Sequence, residues 1–110
     1  MNQYGVDEKI WQHILDTCFN NAGVNAAILY GSRARGDYKQ GSDIDVAIDA
    51  PRMTDRAFSN LWNQLDDLPI IYTLDIVHLQ RLANNPLIHA IRKDGVVFKP
   101  PDPSLAADPL

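Results

Sequence analysis

The sequence predicts a small single domain of the α/β (α+β) class, in which helices flank a mixed β-sheet. Segments with apolar residues at a spacing of three to four alternate along the chain with short apolar or alternating runs that are typical of strands. The chain has 110 residues, which is enough for one modest core and too few for a separate substrate-recognition domain.

The first half of the chain predicts a helix, a strand, a turn and a second strand. Asp7 can cap the first helix, and Gly23 is its expected end. Residues 26–30 predict a buried strand, and a short helix is expected from residue 32 to about 38. Residues 43–49 predict a half-buried strand, because aliphatic residues alternate there with acidic and small ones. The apolar stripe of the first helix comprises Ile10, Trp11, Ile14, Leu15, Cys18 and Phe19.

The second half predicts two further helices and two further strands. An amphipathic helix is expected to end near Pro69, and residues 70–79 predict the next strand. Pro86 is expected to be the first residue of a helix that Asn85 caps. Residues 96–98 predict a last strand. The apolar face of the earlier helix comprises Phe58, Leu61, Trp62 and Leu65.

Residues 1–99 are expected to form the domain, and residues 100–110 a Pro-rich C-terminal tail. Four prolines in these last eleven residues predict an extended or disordered segment; the alternative is an arm that lies on a partner. No apolar run approaches the roughly 20 residues of a membrane span, and the first residues lack the pattern of a secretory signal. The single cysteine, Cys18, predicts a buried thiol, which fits a cytoplasmic location.

The net charge of −4 argues against nucleic acid as a partner, because backbone binding requires clustered lysine and arginine. The basic residues near the polar middle of the chain are Arg33, Arg35 and Lys39. They suffice for a triphosphate and are too few for a polynucleotide track. An acidic chain also permits binding to a basic protein partner.

The strongest functional pattern is a Gly-Ser turn followed by two closely spaced aspartates. Gly31 and Ser32 can bring backbone N–H groups close to phosphate oxygens. Asp43 and Asp45 share one face of a strand and repel each other unless a cation lies between them, which favours Mg²⁺. Each half alone fits an ordinary turn or a solvent-exposed strand. Their order between two apolar strands favours a site for a metal and a nucleotide.

Two metal ions need a third acidic ligand, and Asp75 is the candidate. It lies within an aliphatic run, where a carboxylate is costly to bury without a cation or a proton. The alternative places Asp75 on a solvent-exposed face or at a strand end.

Other residues near the motif are expected to be structural. Asp49 is expected to be a strand-end residue. Tyr30 is expected to be a core or rim aromatic, and the alternative is that it stacks on the nucleotide base. No pair of histidines has ligand spacing, so His13, His78 and His89 are expected to be ordinary polar residues.

The motif Gly31-Ser32-x3-Gly36 followed by Ser42-Asp43-x-Asp45 resembles the signature of the polymerase-beta-like nucleotidyltransferase superfamily. The chain length narrows the resemblance to the minimal nucleotidyltransferases (MNT), which are usually encoded beside a HEPN-domain partner. The resemblance is tight over residues 26–49, and the order of elements agrees up to about residue 99. It implies a nucleotidyltransferase fold and transfer of a nucleoside monophosphate from a triphosphate to a hydroxyl.

The resemblance also implies roles for individual residues. Asp43 and Asp45 would hold two Mg²⁺ ions, and Asp75 would hold the acceptor-side ion and help to deprotonate the acceptor hydroxyl. Gly31 and Ser32 would hold the β- and γ-phosphates. The implied nucleotide-binding residues are Gly31, Ser32, Arg33, Arg35 and Ser42, of which the two arginines are phosphate contacts and Ser42 caps or orients the catalytic strand.

Three functions follow from the resemblance. The first is an antitoxin that attaches AMP from ATP to a tyrosine of a HEPN ribonuclease toxin. The second is a binding antitoxin or scaffold that neutralises the HEPN partner by contact with weak or absent catalysis. The third is a small-molecule modifier similar to aminoglycoside nucleotidyltransferases. These carry an additional helical domain, for which this chain has no room unless a second chain supplies it. The presence of all expected acids favours the first.

Overall fold

The computed structural model describes residues 1–101, so the expectation for the tail falls largely outside the described residues. Four helices, four strands and one short 3₁₀ turn follow one another along these residues. They are α1 (Glu8–Phe19), β1 (Ala26–Tyr30), α2 (Gly31–Arg35), β2 (Ile44–Asp49), α3 (Asp55–Asp66), β3 (Leu74–His78), the 3₁₀ turn (Leu79–Arg81), α4 (Asn85–Asp94) and β4 (Val96–Phe98). None of the helices described is both long and apolar enough to cross a membrane.

The four strands form one mixed sheet in the order β3-β2-β1-β4, which confirms the predicted fold class. β1 pairs antiparallel with β2 and with β4, whereas β2 pairs parallel with β3. A parallel pair needs a long crossover connection, and the segment that contains α3 supplies it. The antiparallel pair needs only the connection that contains α2.

The two faces of the sheet are covered unequally. Ile44, Val46 and Ile48 of β2 are fully buried in a cluster with apolar residues of α1 and α3. Ala47, on the other face, belongs to a smaller cluster with Ile91 of α4. The larger cluster includes Trp11, Ile14, Leu15, Cys18, Leu61 and Leu65. The fold therefore has one main core and one thin apolar layer under α4.

The helix starts follow capping chemistry. The Asp7 side chain accepts hydrogen bonds from the backbone N–H groups of Lys9 and Ile10, as predicted. The prediction for α4 was wrong by one residue: Asn84 is the cap and accepts from Leu87 N–H, while Asn85 is already helical. The reason is geometric, since a cap residue bonds to the N–H group two or three residues later.

Other boundaries and one burial prediction also differ from the sequence prediction; the first helix, for example, ends at Phe19 before the expected Gly23. The third strand begins at Leu74, because its neighbour β2 begins at Ile44 and residues 70–73 have no ladder to join. The second helix ends at Arg35, where Gly36 takes a left-handed φ of 92°. Trp62, expected on the apolar face of α3, is 41% exposed. Cys18 is buried as expected, and burial raises the pKa of its thiol to about 12.

Candidate active site

Three polar side chains lie in one row across the sheet. The strand register pairs Tyr30 with Asp45, and Asp45 with Asp75. Residues level with each other on neighbouring strands point to the same face, with the strands about 4.8 Å apart. The next row along this face contains Ile28 and Ala47, which pack under α4. The row of polar residues therefore lies just beyond the apolar layer under α4.

The structure brings the predicted acids to this row. Asp75 is exposed and level with Asp45, which is half-buried. Asp43 is exposed and comes two residues before Asp45, just ahead of the first residue of β2. Sequence reasoning required a third acid from a neighbouring strand on the same face, and this is where Asp75 lies. Asp49 ends β2, as expected, and accepts a hydrogen bond from Gln80.

The proximity of the acids is visible in their electrostatics. The pKa of Asp45 is raised to about 6, first by partial burial and then by the negative charges of Asp75 and Asp43. The nearby positive charges of Arg35 and Arg33 act in the opposite direction. Crowded carboxylates of this kind carry a repulsion that a bound cation would relieve.

Tyr30 extends the same row. The pKa of its hydroxyl is raised to about 12, by burial and then by the charges of Asp75 and Asp45. Its ring is 95% buried and packs in the cluster with Ala47 and Ile91. Tyr30 is thus a core aromatic at the rim of the site, as the sequence predicted, and its hydroxyl stays protonated at neutral pH.

Gly31 places the turn directly against the acids. Its φ is +75°, and a Cβ atom at this position would overlap the Oδ2 atom of Asp45. Only glycine combines the left-handed backbone with this close approach. The backbone of the turn therefore borders the carboxylate, and the partly buried Ser32 follows it. The structure therefore brings the two halves of the sequence motif together.

The two arginines of the motif lie in different environments. Arg33 is only 3% exposed, and its guanidinium donates hydrogen bonds to backbone carbonyl oxygens of Tyr4, Gly5 and Ser42. Arg35 is at the surface, where it forms ion pairs of 3.3 Å with Asp37 and 3.6 Å with Asp94. Both were predicted as phosphate contacts from the sequence. Arg35 is the one whose side chain is accessible.

Ser42 connects the hydrogen bonds of Arg33 to the start of β2. Its hydroxyl accepts a hydrogen bond of 2.9 Å from Lys39 N–H, and its own N–H donates to the Lys39 carbonyl oxygen at 3.0 Å. Its carbonyl oxygen accepts from Arg33. A cavity of about 470 Å³ opens beside Ser42 and Thr73, which are neighbours of the acids, although the acids themselves do not line it.

Sequence reasoning missed the aromatic surroundings of Arg33. The guanidinium carbon lies 5.1 Å from the ring centre of Tyr38 and 5.3 Å from that of Tyr72. No local spacing indicates this contact, because Tyr72 is distant in the sequence.

His78 differs from the ordinary polar residue that the sequence predicts, because it is buried. It bonds through Nε2 to the Ala50 carbonyl oxygen, and its ring stacks on Phe58. It lies on the opposite face of β3 from Asp75.

The donor set of the row fits a hard divalent cation. Carboxylate oxygens are the ligands that Mg²⁺ prefers. Partial burial and then the charges of Asp75 and Asp43 raise the pKa of Asp45, and such an ion would neutralise these charges. Within residues 1–101, no three His, Cys, Asp or Glu side chains are grouped closely enough to hold a metal ion as they stand. The side chains available as ligands are those of Asp43, Asp45 and Asp75. They suit Mg²⁺ by their donor chemistry and by the strand register that brings Asp45 level with Asp75.

Solved structures share this fold. One is a crystal structure of a toxin–antitoxin with AMP-PNP: the TM-score is 0.64 at 24% identity, covering 78% of this chain and 69% of the other. Another is a double aspartate-to-glutamate mutant of the toxin–antitoxin MntA–HpeT, with a TM-score of 0.64 at 20% identity, covering 88% and 72%. A tyrosine-to-alanine mutant of MntA–HpeT gives a TM-score of 0.61 at 24% identity, covering 84% and 72%. These likenesses establish the fold.

The sequence itself matches a family model. Residues 12–103 match the model described as Polymerase beta, Nucleotidyltransferase, and this range contains the turn, the three acids and the whole sheet. No functionally curated protein matches the chain. The match covers most of the chain and agrees with the resemblance found in the motif, so this protein belongs to the polymerase beta nucleotidyltransferase family.

Proposed function

We propose that this protein is a Mg²⁺-dependent nucleotidyltransferase that attaches AMP from ATP to a hydroxyl of a partner protein and thereby acts as an antitoxin. The observation that carries the proposal is the register that sets Asp45 level with Asp75, against the Gly31 turn. This arrangement supports a site where a triphosphate meets metal ligands. Membership of the nucleotidyltransferase family supports the reaction class.

The reaction is an in-line displacement at the α-phosphorus. The acceptor oxygen forms a bond to phosphorus, the bond to the bridging oxygen breaks, and pyrophosphate leaves with the bonding electron pair. Two Mg²⁺ ions held by Asp43, Asp45 and Asp75 would stabilise the charge on the attacking and leaving oxygens. Asp75 is exposed at the sheet edge, where it can accept the proton of the acceptor hydroxyl.

The phosphates of the donor are assigned to the turn. Gly31 and Ser32 would donate backbone N–H groups and a hydroxyl to the β- and γ-phosphates, because the missing Cβ of Gly31 leaves the backbone open beside Asp45. Arg35, exposed in the same helix, is the accessible cation for a phosphate oxygen. Ser42 sets the start of the catalytic strand through its turn with Lys39.

The partner is proposed by similarity. The chain shares its fold with structures of toxin–antitoxin complexes, one of them with AMP-PNP. We therefore propose a HEPN ribonuclease toxin as the partner, one of its tyrosines as the acceptor and ATP as the donor. Such a pair acts in the cytoplasm, where both ATP and RNA are present.

The test is transfer of label from α-labelled ATP. The protein is incubated with Mg²⁺ and the purified HEPN partner, and label is expected on the partner, sensitive to mutation of a partner tyrosine. Asp43→Ala, Asp45→Ala and Asp75→Ala should each abolish the label. Asp49→Ala is the matched control, because Asp49 lies on the same strand and face but bonds to Gln80 instead of facing Asp75.

The outcomes separate the candidate functions. Label that persists in the three acid variants would contradict the site assignment. A partner that is neutralised by co-expression without ever taking up label would favour the binding antitoxin over the enzyme. Label lost equally in Asp49→Ala would point to a general effect on the strand.

A further inference from the structure

We propose that Arg33 is a positioning residue, whose buried guanidinium fixes the segment that carries Asp43. This inference rests on the proposed function, because it concerns the same site. It differs from the phosphate contact that the sequence resemblance implies for Arg33. The structure supports it through the hydrogen bonds of the guanidinium, its burial and the segments it joins.

The guanidinium is used almost completely by backbone oxygens. Nε and Nη2 both donate to the Ser42 carbonyl oxygen, at 3.1 and 2.8 Å. Nη1 donates to the carbonyl oxygens of Tyr4 and Gly5, at 3.0 and 3.2 Å. Four of the five N–H donors of an arginine are thereby engaged. One remaining donor is too little for the bidentate grip by which arginine binds phosphate.

The side chain is also buried, at the edge of the cavity beside Ser42 and Thr73. Arg33 is 3% exposed, and its guanidinium lies over the rings of Tyr38 and Tyr72. Within residues 1–101 it has no carboxylate within 4 Å, so backbone dipoles and aromatic faces stabilise its charge. The planar guanidinium binds the Ser42 carbonyl oxygen through Nε and Nη2 and two further carbonyl oxygens through Nη1. The single ammonium group of a lysine cannot make this set of hydrogen bonds.

Two of the segments that meet at Arg33 lead to the acids. Ser42 immediately precedes Asp43, and Tyr72 comes three residues before Asp75. The Ile44 N–H donates to the Thr73 carbonyl oxygen at 2.9 Å. The segments that precede Asp45 and Asp75 are therefore hydrogen-bonded to each other where the two strands begin. The carboxylates repel one another, and an anchor on the backbone beside them opposes that repulsion.

Three alternative roles of Arg33 predict different losses. A phosphate contact predicts weaker binding of nucleotide even without metal. A positioning residue predicts intact metal-free nucleotide binding and weaker metal binding, because Asp43 is no longer held beside Asp45. A purely structural residue predicts lower stability with no change in either affinity among the molecules that remain folded.

The experiment compares Arg33→Lys and Arg33→Met with Leu65→Ala. Leu65 is buried in α3 and packs in the main core with Ile44 and Val46, on the face of the sheet opposite Asp45, so Leu65→Ala lowers stability from the other face. Urea unfolding first establishes the conditions in which every variant is folded. Mn²⁺ binding is then measured by electron paramagnetic resonance, ATP binding by calorimetry in EDTA, and Mg²⁺ dependence by label transfer.

We expect the two Arg33 variants to weaken Mn²⁺ binding and to raise the half-saturating Mg²⁺ concentration at least tenfold. ATP binding in EDTA should stay within twofold of the wild type, and Leu65→Ala should keep the wild-type metal response. Metal binding equal to that of Leu65→Ala would overturn the proposal, as would a loss of metal-free ATP binding. Mn²⁺ binding by a wild type that transfers no label would overturn the proposed function and leave the role of Arg33 measurable.

Discussion

The two faces of the central strand β2 serve different purposes. Ile44, Val46 and Ile48 point into the main core and are fully buried. Asp45 alternates with them and points to the face where Asp75 and Tyr30 lie. One face contributes the burial that holds the sheet together, while the other presents crowded charge. The comparison shows that buried apolar side chains and crowded carboxylates are separated by a single residue step along one strand.

The polar face is costly to the fold. A half-buried carboxylate with two like charges nearby is less stable in its ionised form, which is why the pKa of Asp45 is raised to about 6. The folded protein therefore holds this proton to higher pH than the unfolded chain does. Ionisation of Asp45 therefore lowers the free energy of unfolding as the pH rises from about 4 to about 6. The apolar face has no such dependence.

The largest expected effect sharpens this separation. Asp45→Asn should reduce label transfer more than about a hundredfold, because a proposed metal ligand is lost. It should leave the free energy of unfolding at pH 8 unchanged or higher by about 1 kcal/mol, after discounting for partial exposure. Val46→Ala, one residue further, should cost about 2 kcal/mol of stability and little transfer in the folded protein. Urea unfolding and label transfer measure the two effects. If the neighbours behaved alike in both assays, the separation would be refuted.

A smaller effect is expected at the turn that borders the acids. Gly31→Ala and Gly36→Ala both force alanine into a left-handed backbone, with φ of +75° and +92°, which costs about 1 kcal/mol each. Only at Gly31 does the new Cβ overlap Asp45, since the space beside Gly36 is open. We expect Gly31→Ala to reduce transfer at least about tenfold more than Gly36→Ala. Equal losses would place the effect in backbone strain alone.

The smallest expected effect is a shift in titration. In the metal-free protein, the Asp45 carboxyl should titrate near pH 6 by carbon NMR. Asp75→Asn removes a negative charge beside it, so its pKa should fall and the titration should move to lower pH. Metal binding should weaken as pH falls through about 6, because the protonated carboxyl is a poor ligand. An Asp45 titration that does not move in Asp75→Asn would contradict the proximity of the two acids.

Much of this architecture is predictable because it follows local periodicity. The period of two in residues 43–49 predicts both the buried and the polar face of β2. The need for a third acid led to Asp75, which lies among aliphatic residues, and the structure places it level with Asp45. The family model then confirmed the nucleotidyltransferase assignment that the spaced motif suggested.

What the sequence could not supply depends on contacts between distant residues. Arg33 resembles a phosphate-binding residue in its motif, but its partners Tyr4 and Tyr72 are 29 and 39 positions away. The start of β3 was placed too early because the apolar run from Ile70 continues through Thr73 without interruption. The pairing of β3 with β2 begins at Leu74 because β2 itself begins at Ile44. Boundaries of this kind are set by the neighbouring strand.

The buried Cys18 thiol makes the protein convenient to label. It is the single cysteine of the chain, and with its pKa near 12 it provides almost no thiolate at neutral pH. A second cysteine introduced on the exposed side of α3, for example Asn60→Cys, would therefore react alone with a maleimide fluorophore or spin probe. Distances to a bound partner become measurable without first removing the native sulfur.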